Sequence, residues 1–257
     1  MTHELFNLTD KVAIVTGSTK GIGRAIAEAL ARAGAKVVIS SRKTDKCEEV
    51  ANSIRNEGLE ATAITCHIGR REDVERLVSE TKKRYGRIDV LVCNAAVNPY
   101  YGPMSGLTDD AFTKVIDSNV RSNLWLCNLV IPDMAERKDG AVIIVSSIGG
   151  LKGSMNLGIY AISKAADFQL ARNLAVEWGP QNIRVNCIAP GLVKTDFARA
   201  LWENPQMLAR AESTTPLRRI GEPDDIAGAA VFLASRAGQW MTGQVIVIDG
   251  GVTVGAG

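Results

Sequence analysis

Val12-Ala13-Ile14-Val15-Thr16-Gly17-Ser18-Thr19-Lys20-Gly21-Ile22-Gly23 decides how this chain folds. Val12 to Val15 is a short continuous apolar run, the signature of a strand buried on both faces. From Ile22 to Ala33 the apolar residues recur at helical spacing, and Gly34 stops them. Between the two lies a turn with two glycines, Gly17 and Gly21, and a third, Gly23, opens the helix. Glycine allows a tight reversal and lets backbone approach an anion closely. The helix that follows aims its free N–H groups and the positive end of its dipole at the same place. Strand, glycine turn and helix together predict an α/β fold that holds a dinucleotide pyrophosphate beyond the end of its first strand. The spacing is G-x-x-x-G-x-G rather than the more familiar G-x-G-x-x-G.

The alternation continues along the chain. Strands are expected at Lys36–Ser40, Ala61–Cys66, Ile88–Cys93, Ala141–Ser146, Ile183–Ile188 and Gln244–Ile248. Helices are expected at Cys47–Asn56, Asp73–Tyr85, Thr108 to about Ala135, and Tyr160–Trp178. Continuous apolar strands, each followed by a helix, imply parallel pairing with right-handed crossovers. The expectation is one Rossmann domain over residues 1–257: a doubly wound, seven-stranded parallel sheet with helices on both faces. Pro190 to about Pro223 reads as loop-rich and as a candidate substrate cover.

Composition narrows the function classes. Net charge is +2, with acids and bases interspersed, which gives no nucleic-acid face. The five cysteines are odd in number and form no CxxC, so reduced thiols are expected. With only His3 and His67 available, no metal site is expected. No apolar stretch reaches membrane-spanning length and the first ten residues lack a targeting pattern, so the expected location is the cytoplasm.

The second strand should end beside the adenosine ribose, where an acid would accept from the 2′-hydroxyl of NAD. This chain has Ser40-Ser41-Arg42-Lys43 there, with no acid. Arg42 offers a planar fork for a 2′-phosphate, and Lys20 in the glycine turn adds positive charge, so NADP(H) is favoured over NAD(H). A second constellation is Ser147…Tyr160-x-x-x-Lys164. Residues four apart share a helix face. A phenol near pKa 10 is a poor acid or base at neutral pH, but a neighbouring ammonium favours its ionised form. Serine can hold a substrate oxygen against it, so the trio can exchange a proton with an alcohol or carbonyl oxygen.

These motifs, in this order, resemble the short-chain dehydrogenase/reductase family over nearly the whole chain. The resemblance rests on Thr16–Gly23, on Asn94-Ala95-Ala96 after the fourth strand and on Asn119 in the long helix. It continues with Ser147, Tyr160 and Lys164, then Pro190-Gly191 and Thr195. The segments SSRK, CHIG, NAAVNP and NIRVNCIAPGLVKT are most similar to its NADPH-dependent carbonyl reductase branch.

The resemblance implies that Tyr160 is the general acid in reduction and the base in oxidation, and that Ser147 orients the substrate oxygen. It implies that Lys164 holds the nicotinamide ribose, and that Asn119 anchors a water linking Lys164 to solvent. It further implies a cofactor site formed by Gly17, Ser18, Thr19, Lys20, Gly21, Ile22, Gly23, Ser41, Arg42, Lys43, Asn94, Ala95 and Ala96. Pro190, Gly191, Val193 and Thr195 would border the nicotinamide. Two positions depart from the family pattern. His67-Ile68 stands where an aspartate often lies near adenine, leaving a backbone contact from Ile68 to serve. Cys93-Asn94-Ala95-Ala96 replaces Asn-Asn-Ala-Gly.

The expected substrate is a small ketone, aldehyde or alcohol, apolar or aromatic, because Tyr100, Leu151, Met155, Leu157 and Trp202 fall in the segments that should line its pocket. Trp202 and Leu201 suit packing and a substrate wall equally well. A 3-oxoacyl-thioester reductase is the second reading, with Arg121, Lys152, Arg218 and Arg219 as candidate anchors for an acyl carrier protein or coenzyme A. A non-catalytic NADP(H) sensor is the third. The resemblance also implies a homotetramer.

Overall fold

The structure is a computed structural model and describes residues 2–255; Met1, Ala256 and Gly257 of the expected domain lie outside them. A short helix α1 (Thr2–Leu5) precedes β1 (Val12–Thr16) and α2 (Gly21–Arg32). Then come β2 (Lys36–Ser40), α3 (Thr44–Asn56), β3 (Ala61–Ala63), α4 (Arg71–Tyr85) and β4 (Val90–Cys93). After α5 (Asp109–Ile116) and α6 (Ser122–Arg137) follow β5 (Gly140–Val145), α7 (Gly158–Trp178) and β6 (Ile183–Pro190). The chain finishes with α8 (Arg199–Trp202), α9 (Pro205–Thr214), α10 (Pro223–Ala234) and β7 (Val245–Ile248).

The seven strands form one sheet in the order β3-β2-β1-β4-β5-β6-β7, and every pairing is parallel. The strand order reverses between β1 and β4, and this switch point is where an open α/β sheet leaves a crevice beyond its strand ends. Thr16 pairs with Ser40, and Cys93 with Ile144, so the strand ends that border the crevice lie level. One apolar cluster packs α2, α3 and α10 on one face of the sheet, and a second packs α4, α6 and α7 on the other. All five cysteines are buried and free.

Three elements differ from their expected form. β3 closes at Ala63, short of Cys66, although Ile64 and Cys66 still donate to Ile39 O and Ser41 O at 3.0 Å. The long helix is divided at Asp117–Arg121 by a turn of π-helix. The segment from Pro190 to Pro223 is not simply loop: it contains α8 and α9.

Candidate active site

The glycine turn is pinned on both sides. Asn94 Nδ2 donates to Thr16 O (2.9 Å) and Gly17 O (3.2 Å), while Thr16 Oγ1 accepts from the backbone N–H groups of Asn94 (3.0 Å) and Ala95 (3.1 Å). Ser18 Oγ donates to Val15 O (2.6 Å) and accepts from Ser40 N (2.9 Å), which ties the turn to the end of β2. Gly17 and Gly21 have φ of +65° and +54°, a region that side chains rarely adopt. A Cβ on Gly23 would lie 2.3 Å from Asn94 Nδ2 and 2.5 Å from Gly17 O. The glycines therefore leave a shallow cradle at the N-terminus of α2, with the donor set and close approach that a pyrophosphate requires.

Beside this cradle Thr19 Oγ1 donates to Ser41 Oγ at 3.3 Å, and Arg42 and Lys43 are exposed at the start of α3. Lys20 instead reaches across the crevice to Asp196, Nζ to Oδ2 at 3.1 Å. His67 is occupied locally: its N–H donates to Asp73 Oδ2 (3.0 Å) and its Nδ1 accepts from Gly69 N (3.2 Å). Ile68 follows it, half-buried.

Opposite the cradle, Pro190 ends β6, and Gly191 N donates to Ile248 O at 2.9 Å. Val193 is buried and bridges to Gly221. Thr195 lies against the glycine turn: a Cβ on Gly21 would be 3.0 Å from Thr195 Cγ2. Trp202 Nε1 donates to Thr195 O at 2.8 Å, so this indole anchors the segment that carries Thr195.

Ser147 leaves the end of β5 and its Oγ accepts from Gly149 N at 3.0 Å. A Cβ on Gly149 would sit 3.3 Å from that Oγ and 3.9 Å from Tyr160 Cε1, so serine and tyrosine both flank this glycine. One turn along α7, Lys164 is 2% exposed, with Nζ 5.8 Å from the Tyr160 ring centroid. Asn119 stands in the π-turn, fully buried. Its Oδ1 accepts from Val97 N (2.8 Å) and its Nδ2 donates to Val97 O (3.0 Å) and Ser163 Oγ (3.1 Å). The structure thus brings Ser147, Tyr160, Lys164 and Asn119 together at the strand ends.

A run of side chains joins Asn119 to Lys164. Asn119 O accepts from Asn123 Nδ2 (2.7 Å), which also donates to Asp167 Oδ1 (3.0 Å), and Asp167 Oδ2 accepts from Lys164 Nζ (3.0 Å). Burial pulls the Lys164 ammonium down, but the Asp167 carboxylate and Tyr160 outweigh it and leave the group above the ordinary lysine range. Sequence reasoning missed Asp167, Asn123 and also Phe197, whose ring centroid is 5.9 Å from that of Tyr160. The signal for the first two was spacing: Asp167 falls three residues after Lys164 in an apolar stretch, and Asn123 four after Asn119.

A family profile described as enoyl-(acyl carrier protein) reductase matches residues 17–253. Dehydrogenase/reductase SDR family member 4 of Homo sapiens is 45% identical over 244 residues, covering 95% of this chain and 88% of the relative. The chain belongs to the short-chain dehydrogenase/reductase family. As a short-chain dehydrogenase/reductase it is an oxidoreductase of the dehydrogenase/reductase type, and solved members of the family superpose on it closely. The gluconate 5-dehydrogenase of Burkholderia cenocepacia J2315, solved with NADP and tartrate, matches with a TM-score of 0.95 at 30% identity, over all of both chains. A 7α-hydroxysteroid dehydrogenase, solved with NADH and 7-oxo glycochenodeoxycholic acid, matches at 0.93 and 36%, over 96% of each chain. Among the described residues no acid, cysteine and histidine cluster is arranged to hold a metal, and no helix is long and apolar enough to cross a membrane.

Proposed function

We propose that this chain interconverts a ketone or aldehyde with the corresponding alcohol, using NADP(H). The observation that carries the reading is the placement of Tyr160 and Ser147 on either side of Gly149, one helical turn from the buried Lys164. The cofactor, when bound, supplies or receives a hydride. Tyr160 gives a proton to the carbonyl oxygen in reduction and takes it back in oxidation. Ser147 donates to that oxygen and stabilises its developing charge. Lys164 keeps positive charge beside the phenol and would hold the nicotinamide ribose. Arg42 and Lys43, exposed and unaccompanied by an acid at the end of β2, favour a 2′-phosphate.

The substrate wall is apolar and aromatic. Phe197 is 54% exposed and 5.9 Å from Tyr160, and Leu151 and Met155 are exposed beside it in sequence order before α7. This favours a hydrophobic carbonyl compound. The acyl-thioester alternative is weakened at three of its four candidate anchors, the fourth, Lys152, being exposed. Arg121 is paired with Asp117, Arg219 with Asp225, and the Arg218 guanidinium donates to Ser213 O. The same proposal includes a homotetramer, as in the family at large.

The experiment is Tyr160→Phe. Removing one hydroxyl should lower turnover at least about 100-fold, the scale of a lost general acid, and leave NADPH binding within twofold by fluorescence titration. Full retention of turnover refutes the assignment of the acid. Rates on acetoacetyl-coenzyme A against simple aromatic ketones separate the two enzyme readings.

A further inference from the structure

The Lys164 ammonium is not a lone charge. Its Nζ lies 3.0 Å from Asp167 Oδ2 and 3.0 Å from Val145 O, and both ion-pair members are buried, at 2% and 0% exposure. Asp167 is held in turn by Asn123 Nδ2, which is seated on Asn119 O. A buried carboxylate is costly unless paired and hydrogen-bonded, so this one has been fitted with partners on both oxygens. Its neighbours come from every element packed around it. Tyr160 and Arg172 share α7, Ser146 and Val145 are on β5, Cys187 is on β6, Cys93 on β4, and Cys127 on α6. Burial pushes the Cys187 thiol up, and a hydrogen bond with Cys127 together with burial does the same to Cys93, so neither supplies negative charge near neutrality. Burial also pushes the Asp167 carboxyl up, against Lys164, Asn123 and Ser146, which favour its ionised form.

We propose that Asp167, seated by Asn123, is a positioning residue that screens the Lys164 ammonium from Tyr160 and so biases the enzyme toward carbonyl reduction. The inference rests on the proposed role of Tyr160. A lone ammonium favours the phenolate strongly, whereas an ammonium in contact with a carboxylate presents a dipole whose field falls off faster. Tyr160 then keeps its proton to a higher pH. A protonated phenol is what reduction consumes and what oxidation must first lose.

Asp167→Asn keeps the shape and removes the charge. The midpoints of the pH profiles of kcat, for alcohol oxidation and for carbonyl reduction, should both move down by about one pH unit or more, the scale of a charge uncovered at this range. Asn123→Ala, which removes the second partner of Asp167, should move them the same way by less. Unchanged or higher midpoints in both variants overturn the proposal. A second measurement needs neither activity nor cofactor. In urea unfolding, Asp167→Asn and Lys164→Met should each destabilise the protein, and the double variant should lose clearly less than their sum. Additive losses would show that the two groups are not coupled and also overturn it. The two readings fail separately: full turnover in Tyr160→Phe defeats the assigned acid, whereas an inactive Tyr160→Phe beside an unshifted Asp167→Asn profile defeats the screening alone.

Discussion

Two residues at the nucleotide end make opposite demands on side-chain chemistry. Gly23 must have none: a methyl there would press on Asn94 Nδ2 and Gly17 O, and Asn94 cannot retreat without giving up its bonds to Thr16 O and Gly17 O. Arg42, exposed at the end of β2, must have its guanidinium if the cofactor carries a 2′-phosphate. Arg42→Ala should raise the KM for NADPH about 10- to 100-fold, the scale of a charge-assisted hydrogen bond, and leave that for NADH within about twofold. Steady-state kinetics with both cofactors checks it; equal changes for both would remove the argument for NADP(H). The residues proposed to touch reacting groups were legible because their chemistry is distinctive at short range: a tyrosine and lysine four apart, and glycines where a strand turns into a helix. Asp167 was not, because its meaning depends on Asn123, which lies 44 residues away and on another helix. The sequence displayed an acid in an apolar stretch without showing what it faces.

At the scale of elements, periodicity located strands and helices but not their interruptions. The π-turn at Asp117–Arg121 contains no glycine or proline, so the helical pattern reads as unbroken, yet that turn carries Asn119, whose carbonyl seats Asn123 on the path to Asp167. α9 was concealed for another reason. It lies in a segment whose glycines and prolines read as loop, although Asn204-Pro205 is a helix start: Asn204 Oδ1 accepts from Gln206 N (3.0 Å) and Met207 N (3.1 Å). The segment between Pro190 and Pro223 is tied down at its far end by α10. Asp225 Oδ2 accepts from Glu222 N at 2.8 Å, and Asp225 Oδ1 accepts from Arg219 Nη2 at 2.9 Å. The Arg219 hydrogen bonds, reinforced by the Glu222 N–H, hold the Asp225 carboxyl down at about 2. A depressed acid contributes stability above its unfolded pKa, near 4, and loses it as pH falls toward 2. Asp225→Asn should therefore cost about 1 kcal/mol at pH 7, the scale of a lost helix-end bond, with the difference from wild type shrinking between pH 4 and pH 2. Arg219→Ala should cost less, because its pair is exposed and screened by solvent. Urea unfolding across that pH range tests both; a difference that grew on acidification would contradict the assigned cause.

For the whole molecule, the alternation of buried strands and helices implies a parallel, doubly wound sheet, and right-handed crossovers narrow the possible strand orders without fixing the one observed. What alternation cannot show is where the finished sheet ends. β7 is its edge, four residues long and only half-covered, with Val247 39% exposed. An exposed apolar edge is a liability unless another chain covers it. Near it, Val176 on α7 is 81% exposed and Trp240, before β7, is 99% exposed, whereas large aromatic side chains are characteristically buried or at interfaces. Within the proposed homotetramer these residues belong to one contact between copies. The double variant Val176→Lys with Trp240→Lys places two charges in that contact, and burying unpaired charge there is strongly unfavourable. Light scattering coupled to size exclusion should find the wild type at four times its 27.5 kDa chain mass and the variant at half of that or less. The variant's far-ultraviolet circular dichroism should be unchanged, since neither side chain contributes to the apolar clusters that flank the sheet. A variant that still runs as a tetramer would move the contact away from β7, and a monomeric wild type would leave the exposed edge to be explained by the chain alone.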